Sequence, residues 1–230
     1  MTTPDCTTCP HQDCTDHGKP PNQRSRSEEE CAEERGITAV ALPTGKFAAI
    51  LADPPWQFVA WAKGGRKAPD RHYSTMTPED IMALPVSALA AEDCCLFLWA
   101  TRPMIPEALA VIAAWGFTYK TEAFTWVKVY ADKPRTPRMG LGYWTRANTE
   151  PCLLATRGHP KRLHKDVGQV IAAPIREHSR KPDETHERIE RLVAGPYLEL
   201  FARAPHEGWT VWGNETDKFA ELTLQMEQTT

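Results

Sequence analysis

An α/β fold, with a mainly parallel sheet covered by helices on both faces, is predicted by three observations. Short apolar runs alternate along the chain with segments of helical period. Several of those runs are apolar at consecutive positions, as strands buried on both faces are. With 230 residues, 41% hydrophobic and 25% charged, the chain is long enough for one substantial domain. Together they describe a Rossmann-like architecture.

Residues 1–36 stand apart from this pattern, rich in Cys, His, Pro, Ser and Glu with almost no apolar periodicity, and residues 19–30 have linker composition. We therefore divide the chain into an N-terminal extension, 1–36, and a main domain, 37–230. The extension carries Cys6-x-x-Cys9-x-His11-x-x-Cys14-x-x-His17. Cys6 with Cys9, and Cys14 with His17 or Cys31, supply the ligands of a tetrahedral zinc site. The other reading is a disordered polar tail.

Phe47–Ala52 is the first strand, and it ends in Asp53-Pro54-Pro55-Trp56. Neither proline has an N–H and each restricts the residue before it, so the chain leaves the sheet in one stiff conformation. A carboxylate, two carbonyls and an aromatic ring are thereby held at a strand's C-terminal end, where open α/β sheets bind ligands. Asp53 and the Pro54 carbonyl can accept both donors of an exocyclic amine such as adenine N6, with Trp56 or a nearby Tyr stacking on the base. The plainer reading is a proline turn with a capping Asp.

The glycine-bearing segment that follows holds Lys63, Arg66, Lys67, Arg71, His72 and Tyr73, suited either to a loop that meets phosphates or to a solvated surface. Thr77-Pro78-Glu79-Asp80 starts a short helix that stops by Pro85. Cys94–Trp99 is a second buried strand. A helix over 104–115 places Ile105, Leu109 and Ile112 on one face and ends at Gly116. Phe117–Val129 makes one or two strands, followed by a basic loop with Lys133, Arg135 and Arg138. Glu150–Ala155 and Val170–Ala173 are strands, separated by a second basic loop with Lys161, Arg162, His164 and Lys165. Arg176-Glu177-His178-Ser179-Arg180-Lys181-Pro182-Asp183-Glu184 opens a helix that runs to about Val193. Strands at Tyr197–Ala202 and Trp209–Trp212 and a closing amphipathic helix complete the chain. Glu199, an acid inside an apolar strand, needs either a ligand such as a ribose hydroxyl pair or a partner such as Arg203 or a lysine.

No run of eighteen apolar residues exists, which argues against a membrane span, and the polar N-terminus is unlike a secretion signal, so a cytoplasmic protein is expected. Seven cysteines is an odd number, and Cys94, Cys95 and Cys152 lie in apolar runs, as reduced buried thiols do. The net charge of −3 speaks against a nonspecific polyanion binder, yet eight acids and four bases fall in residues 1–36, leaving a nearly neutral body with local basic clusters.

Read in order, Gly45-Lys46-Phe47 through Asp53-Pro54-Pro55-Trp56, Tyr73-Ser74-Thr75-Met76, Leu96-Phe97-Leu98-Trp99, Trp126-Val127-Lys128, His178-Ser179-Arg180-Lys181-Pro182-Asp183-Glu184 and Glu199-Leu200-Phe201 resemble the MT-A family over about residues 44–216. The resemblance implies a Rossmann-like methyltransferase fold with permuted motif order. It implies transfer of a methyl group from S-adenosylmethionine to adenine N6 in nucleic acid. By motif position, Asp53 and Pro54 would orient the amine, with Asp53 also near the methionyl ammonium, and Pro55 and Trp56 would shape the base pocket. Tyr73 would lie on the substrate loop. Lys181 would pair with the methionyl carboxylate, Glu199 and Arg203 would lie near the adenosine with His206 close by, and Asn214 and Glu215 would reach its sugar. The family's Phe-Gly-Arg reads Phe201-Ala202-Arg203 here. The compact chain resembles bacterial and phage members, so DNA is the expected substrate. RNA adenine, or a noncatalytic nucleic-acid-binding relative, is the alternative; monomer and homodimer stay open. A nicotinamide oxidoreductase is excluded by the missing glycine fingerprint.

Overall fold

The structure, a computed structural model, describes residues 41–57, 75–140, 142, 144–176, 180–214 and 216. The proposed zinc ligands Cys6, Cys9, Cys14 and His17 lie outside the described residues. So do the loop residues Lys63, Arg66, Lys67, Arg71 and Tyr73, as well as Glu215 and the closing helix.

Eight strands make one sheet: β1 (Phe47–Ala52), β2 (Ala90–Trp99), β3 (Thr118–Tyr130), β4 (Lys133–Pro137), β5 (Thr149–Arg157), β6 (Val170–Pro174), β7 (Tyr197–Leu200) and β8 (Trp209–Trp212). Their order is β4-β3-β5-β2-β1-β7-β8, with β6 on β3. The half built on β2, β1, β7 and β8 is parallel, as expected. The other half is mixed: β2–β5, β3–β5 and β3–β4 are antiparallel and β3–β6 is parallel. A parallel neighbour requires a long crossover, usually helical, and among the described residues no helix separates β3, β4 and β5. The predicted basic loop at 133–137 is in fact strand β4, exposed at all five residues. Its prolines are tolerated because an edge strand has a side with no ladder to maintain.

Helix α1 (Pro78–Ala83) starts as its sequence dictates: the Thr77 hydroxyl oxygen accepts the Asp80 N–H at 3.1 Å, with Pro78 in the first turn. Helix α2 (Ile105–Ala114) buries Ala108, Val111 and Ile112, with Trp115 following, while Leu109 is 38% exposed. The inward stripe is therefore rotated from the predicted one. Trp115 draws it round, being fully buried with its indole N–H on the Ile81 carbonyl at 3.0 Å. A large aromatic with a satisfied polar atom outweighs an isolated leucine.

Helices α1 and α2 cover one sheet face, over Phe47, Ile50, Leu96, Leu98 and Leu198. Helix α3 (Glu184–Leu192) covers the other, its Ile189 packing with Leu51, Phe97, Trp99 and Phe124. Helices on both faces are as predicted. Cys94, Cys95 and Cys152 are free and buried. Burial pushes the Cys94 thiol up to about 12 and Cys95 to about 11, so they are inert protonated thiols. Among the described residues no helix is long and apolar enough to cross a membrane.

Register sets where the site falls. β1, β2, β7 and β8 all end at one edge of the sheet. Because β5 runs opposite to β2, with Trp99 facing Cys152, it is the start of β5 that reaches that edge. β3, antiparallel to β5, brings Trp126 and Val127 there opposite Glu150 and Thr149. The corner after β1 is held from below by Trp56, which is 4% exposed and donates its indole N–H to the Trp99 carbonyl at 3.0 Å. Met76 N–H donates to the Pro55 carbonyl at 2.9 Å and Gln57 N–H to the Met76 carbonyl at 3.0 Å, tying the corner to α1.

Trp56→Ala should therefore cost about 3–5 kcal/mol of stability in urea unfolding, as large aromatic truncations do. Trp56→Phe, which keeps most of the ring volume but orphans the Trp99 carbonyl, should cost about 1–2 kcal/mol.

Candidate active site

Asp53 leaves β1 with its N–H on the Leu200 carbonyl at 3.4 Å. The Pro54 carbonyl accepts the Trp56 N–H at 2.8 Å, closing a tight turn with one lone pair left over. Lys181, from the loop before α3, donates its Nζ to both Asp53 oxygens, at 2.8 and 2.7 Å. The same Nζ lies 3.6 Å from Glu150 Oε2 and 5.6 Å over the Trp99 ring. Glu150 is in turn bonded by Lys128, which stands 4.9 Å over Trp126. Charges thus alternate across the edge: Lys128, Glu150, Lys181, Asp53.

These side chains are mostly buried but not sealed, with Asp53 17% and Lys181 16% exposed. Burial works against the Lys181 charge, yet Asp53 and Glu150 outweigh it and hold the ammonium above the usual lysine range. The positive charge of Arg203 works weakly against that of Lys181. Burial also disfavours the Glu150 carboxylate, but Lys181 and Lys128 pull it below the usual range.

The structure brings together Asp53, Pro54 and Lys181, three of the residues singled out from sequence. Glu150 and Lys128 were missed as site residues. The sign was present in Glu150, an acid at the head of an apolar strand, the same feature that drew attention to Glu199. Two expectations need correction. Trp56 does not present its ring for stacking on a base, because it belongs to the core against α1 and α2. The partner of Glu199 is neither Arg203 nor a lysine but His186, whose Nε2 lies 2.8 Å from Glu199 Oε2. The reason is register: Glu199 sits opposite Leu51, whose side chain faces α3, and His186 is on the first turn of that helix.

His206 stacks on His186 with ring centroids 4.2 Å apart. It lies 3.4 Å from Glu190, which also accepts the Trp209 indole N–H at 2.7 Å. Asn214 is exposed just past β8, at the same edge as Asp53. A Cβ on the preceding Gly213 would meet the Ala202 carbonyl oxygen at 2.7 Å, so the close backbone approach falls on Gly213 and tolerates Ala202 opposite it. Phe201 takes a left-handed φ of 63°, turning the chain sharply at the end of β7. Among the described residues no cluster of His, Cys, Asp or Glu could hold a metal ion.

An α/β sheet whose strand ends gather a carboxylate, an ammonium and a proline-stiffened turn defines a Rossmann-like enzyme domain. The chain belongs to the MT-A70 family of S-adenosylmethionine-dependent N6-adenine methyltransferases, whose family model matches residues 47–215. It is 30% identical over 211 residues to the Type II methyltransferase M.MunI of Mycoplasma sp, covering 81% of this chain and 85% of that protein. It is 35% identical over 179 residues to the N(6)-adenosine-methyltransferase MT-A70-like protein of Drosophila melanogaster, covering 75% of this chain but 27% of that one. With the human N(6)-adenosine-methyltransferase catalytic subunit METTL3 the identity is 33%, over 75% of this chain and 29% of the relative. The chain thus spans little more than a quarter of these two longer relatives.

Glu150 contributes stability that is present above the ordinary carboxylate range and lost as pH falls through its lowered pKa. Between pH 7 and about pH 3 the wild type should lose more stability than Glu150→Gln in urea unfolding. Equal losses would remove Glu150 from the network.

Proposed function

We propose that the chain transfers a methyl group from S-adenosylmethionine to the N6 amine of adenine in DNA. The observation that carries this reading is the Asp53–Lys181 pair at the stiffened corner. A carboxylate beside an ammonium matches the zwitterionic methionyl end of the cofactor, ammonium toward Asp53 and carboxylate toward Lys181. Arg203, Glu199 and Asn214 lie along the ends of β7 and β8, where the adenosine would follow.

When bound, S-adenosylmethionine supplies an electrophilic methyl carbon on a sulfonium leaving group. Lys181 occupies only part of the acceptor capacity of Asp53, and Pro54 keeps a lone pair, so both can take an N6–H donor. Their rigid placement aims the amine nitrogen, which lowers the barrier mainly through proximity and orientation. As positive charge grows on that nitrogen, Asp53 and the Pro54 carbonyl stabilise it. No strong general base is required, because the methylated ammonium is acidic enough to release its proton to water.

Nucleic acid as substrate is supported by the exposed β4 edge with Lys133 and Arg135, continued by Arg138. Arg138 N–H donates to the Lys128 carbonyl at 2.7 Å, so this basic strip begins beside the site. DNA is supported by M.MunI, a compact methyltransferase named Type II and covered over 85% of its length. RNA is the second reading, favoured by the 35% identity to an N(6)-adenosine-methyltransferase. The retained Asp53–Lys181 pairing speaks against a noncatalytic relative.

Labelled S-adenosylmethionine offered with duplex DNA, single-stranded DNA and RNA, followed by nucleoside analysis, should give N6-methyladenine in DNA. Product in RNA alone would overturn the substrate. Asp53→Ala should lower turnover by at least about 100-fold with fold retained. Lys181→Ala should weaken cofactor binding by about tenfold or more in calorimetry; an unchanged affinity would remove Lys181 from the cofactor site.

A further inference from the structure

We propose that His186 is a positioning residue: its ring holds the Glu199 carboxylate and the β7–β8 loop in the arrangement that accepts the cofactor. The inference rests on the cofactor site proposed above and assigns a residue to it that has no place among the motifs.

His186 touches three separate elements. From the first turn of α3 its Nε2 meets Glu199 Oε2 on β7 at 2.8 Å. Its face carries the His206 ring of the β7–β8 loop, at 4.2 Å and 17° from parallel. Trp209 at the head of β8 stands beside it at right angles, with centroids 4.9 Å apart and planes at 84°. The loop leaning on this ring is the one that turns at Phe201 and carries Arg203. Glu199 is 16% exposed, and His186 engages only its Oε2, leaving Oε1 for a ligand hydroxyl. A carboxylate this buried would swing toward water without its partner, so the imidazole determines where Oε1 points.

The charged groups facing His186 are Glu199 from β7, His206 from the loop, and Asp183 and Glu190 from the start and next turn of its own helix. Two stacked imidazoles at this distance do not readily share two charges. Of the two, His186 is the better placed to hold a proton, because Glu199 is at 2.8 Å, whereas Glu190 is 3.4 Å from His206 and already accepts the Trp209 N–H; the His186 Nδ1 is buried without a partner, which works the other way. Burial alone would lower the His186 pKa, but the Glu199 hydrogen bond and charge raise it above the usual value. Burial and the neighbouring His186 charge lower that of His206. Cofactor affinity is accordingly held while His186 is charged and falls as pH rises through its raised pKa.

The test is calorimetric titration of S-adenosylmethionine into wild type, His186→Phe and His186→Gln from about pH 6 to pH 9. His186→Phe keeps a ring for the stack but has no donor, and should bind about tenfold more weakly at pH 7. His186→Gln, an uncharged donor near the Nε2 position, should behave like the neutral imidazole: it should recover part of that loss at pH 7 and show a flat profile toward which the wild type declines as pH rises. Wild-type affinity and profile in both variants would overturn the assignment while leaving the cofactor site standing. If His186→Phe does not fold, the profile of His186→Gln decides alone: a decline like that of wild type overturns the proposal. Absence of binding to wild type itself would bring down the cofactor site, and the role of His186 with it.

Discussion

The ion pair between Asp53 and Lys181 joins residues 128 positions apart and ties the end of β1 to the loop before α3. Its cost is considerable, since both groups are largely withdrawn from water, and such pairs seldom add much net stability. What it secures is geometry. Asp53 follows directly from a strand whose register with β2 and β7 is set, and Lys181 precedes the helix that covers the same face. With Glu150 and Lys128 completing the row, each carboxylate has a cation on at least one side and each cation an acid. A ligand that brings its own ammonium and carboxylate can exchange partners with this pair without leaving a charge stranded.

Most of the parallel half of the fold was legible because its signals are local. Phe47–Ala52 is apolar throughout, Thr77-Pro78-Glu79-Asp80 caps itself, and the runs at Tyr197 and Trp209 are bounded by turn residues. The antiparallel half was harder to read. Lys133–Pro137 has the composition of a loop and is a strand only because β3 extends far enough to pair with it. The rotation of α2 likewise depends on Trp115 reaching Ile81, a contact 34 residues distant that no helical pattern encodes.

The site follows the same division. Asp53 and Lys181 lie next to proline, where the chemistry of the motif is written in adjacent letters. Glu150 lies at the beginning of a strand, and the rule of looking beyond strand ends passes over it; it reaches the site because β5 runs against its neighbours. His186 is more hidden still. It is a helical histidine among charged residues, and only the pairing of Glu199 opposite Leu51 shows that a strand acid rises directly beneath it.

The outer margin of the sheet at β4 has a bearing on how the molecule behaves at high concentration. Pro134 and Pro137 deny an approaching chain two of the amides it would need, and Lys133 and Arg135 add like-charge repulsion between copies. Lateral stacking of one molecule's ribbon on another's, the usual start of fibrous aggregation, is blocked at this margin. Prolines and basic side chains together make this border a poor template for a further strand.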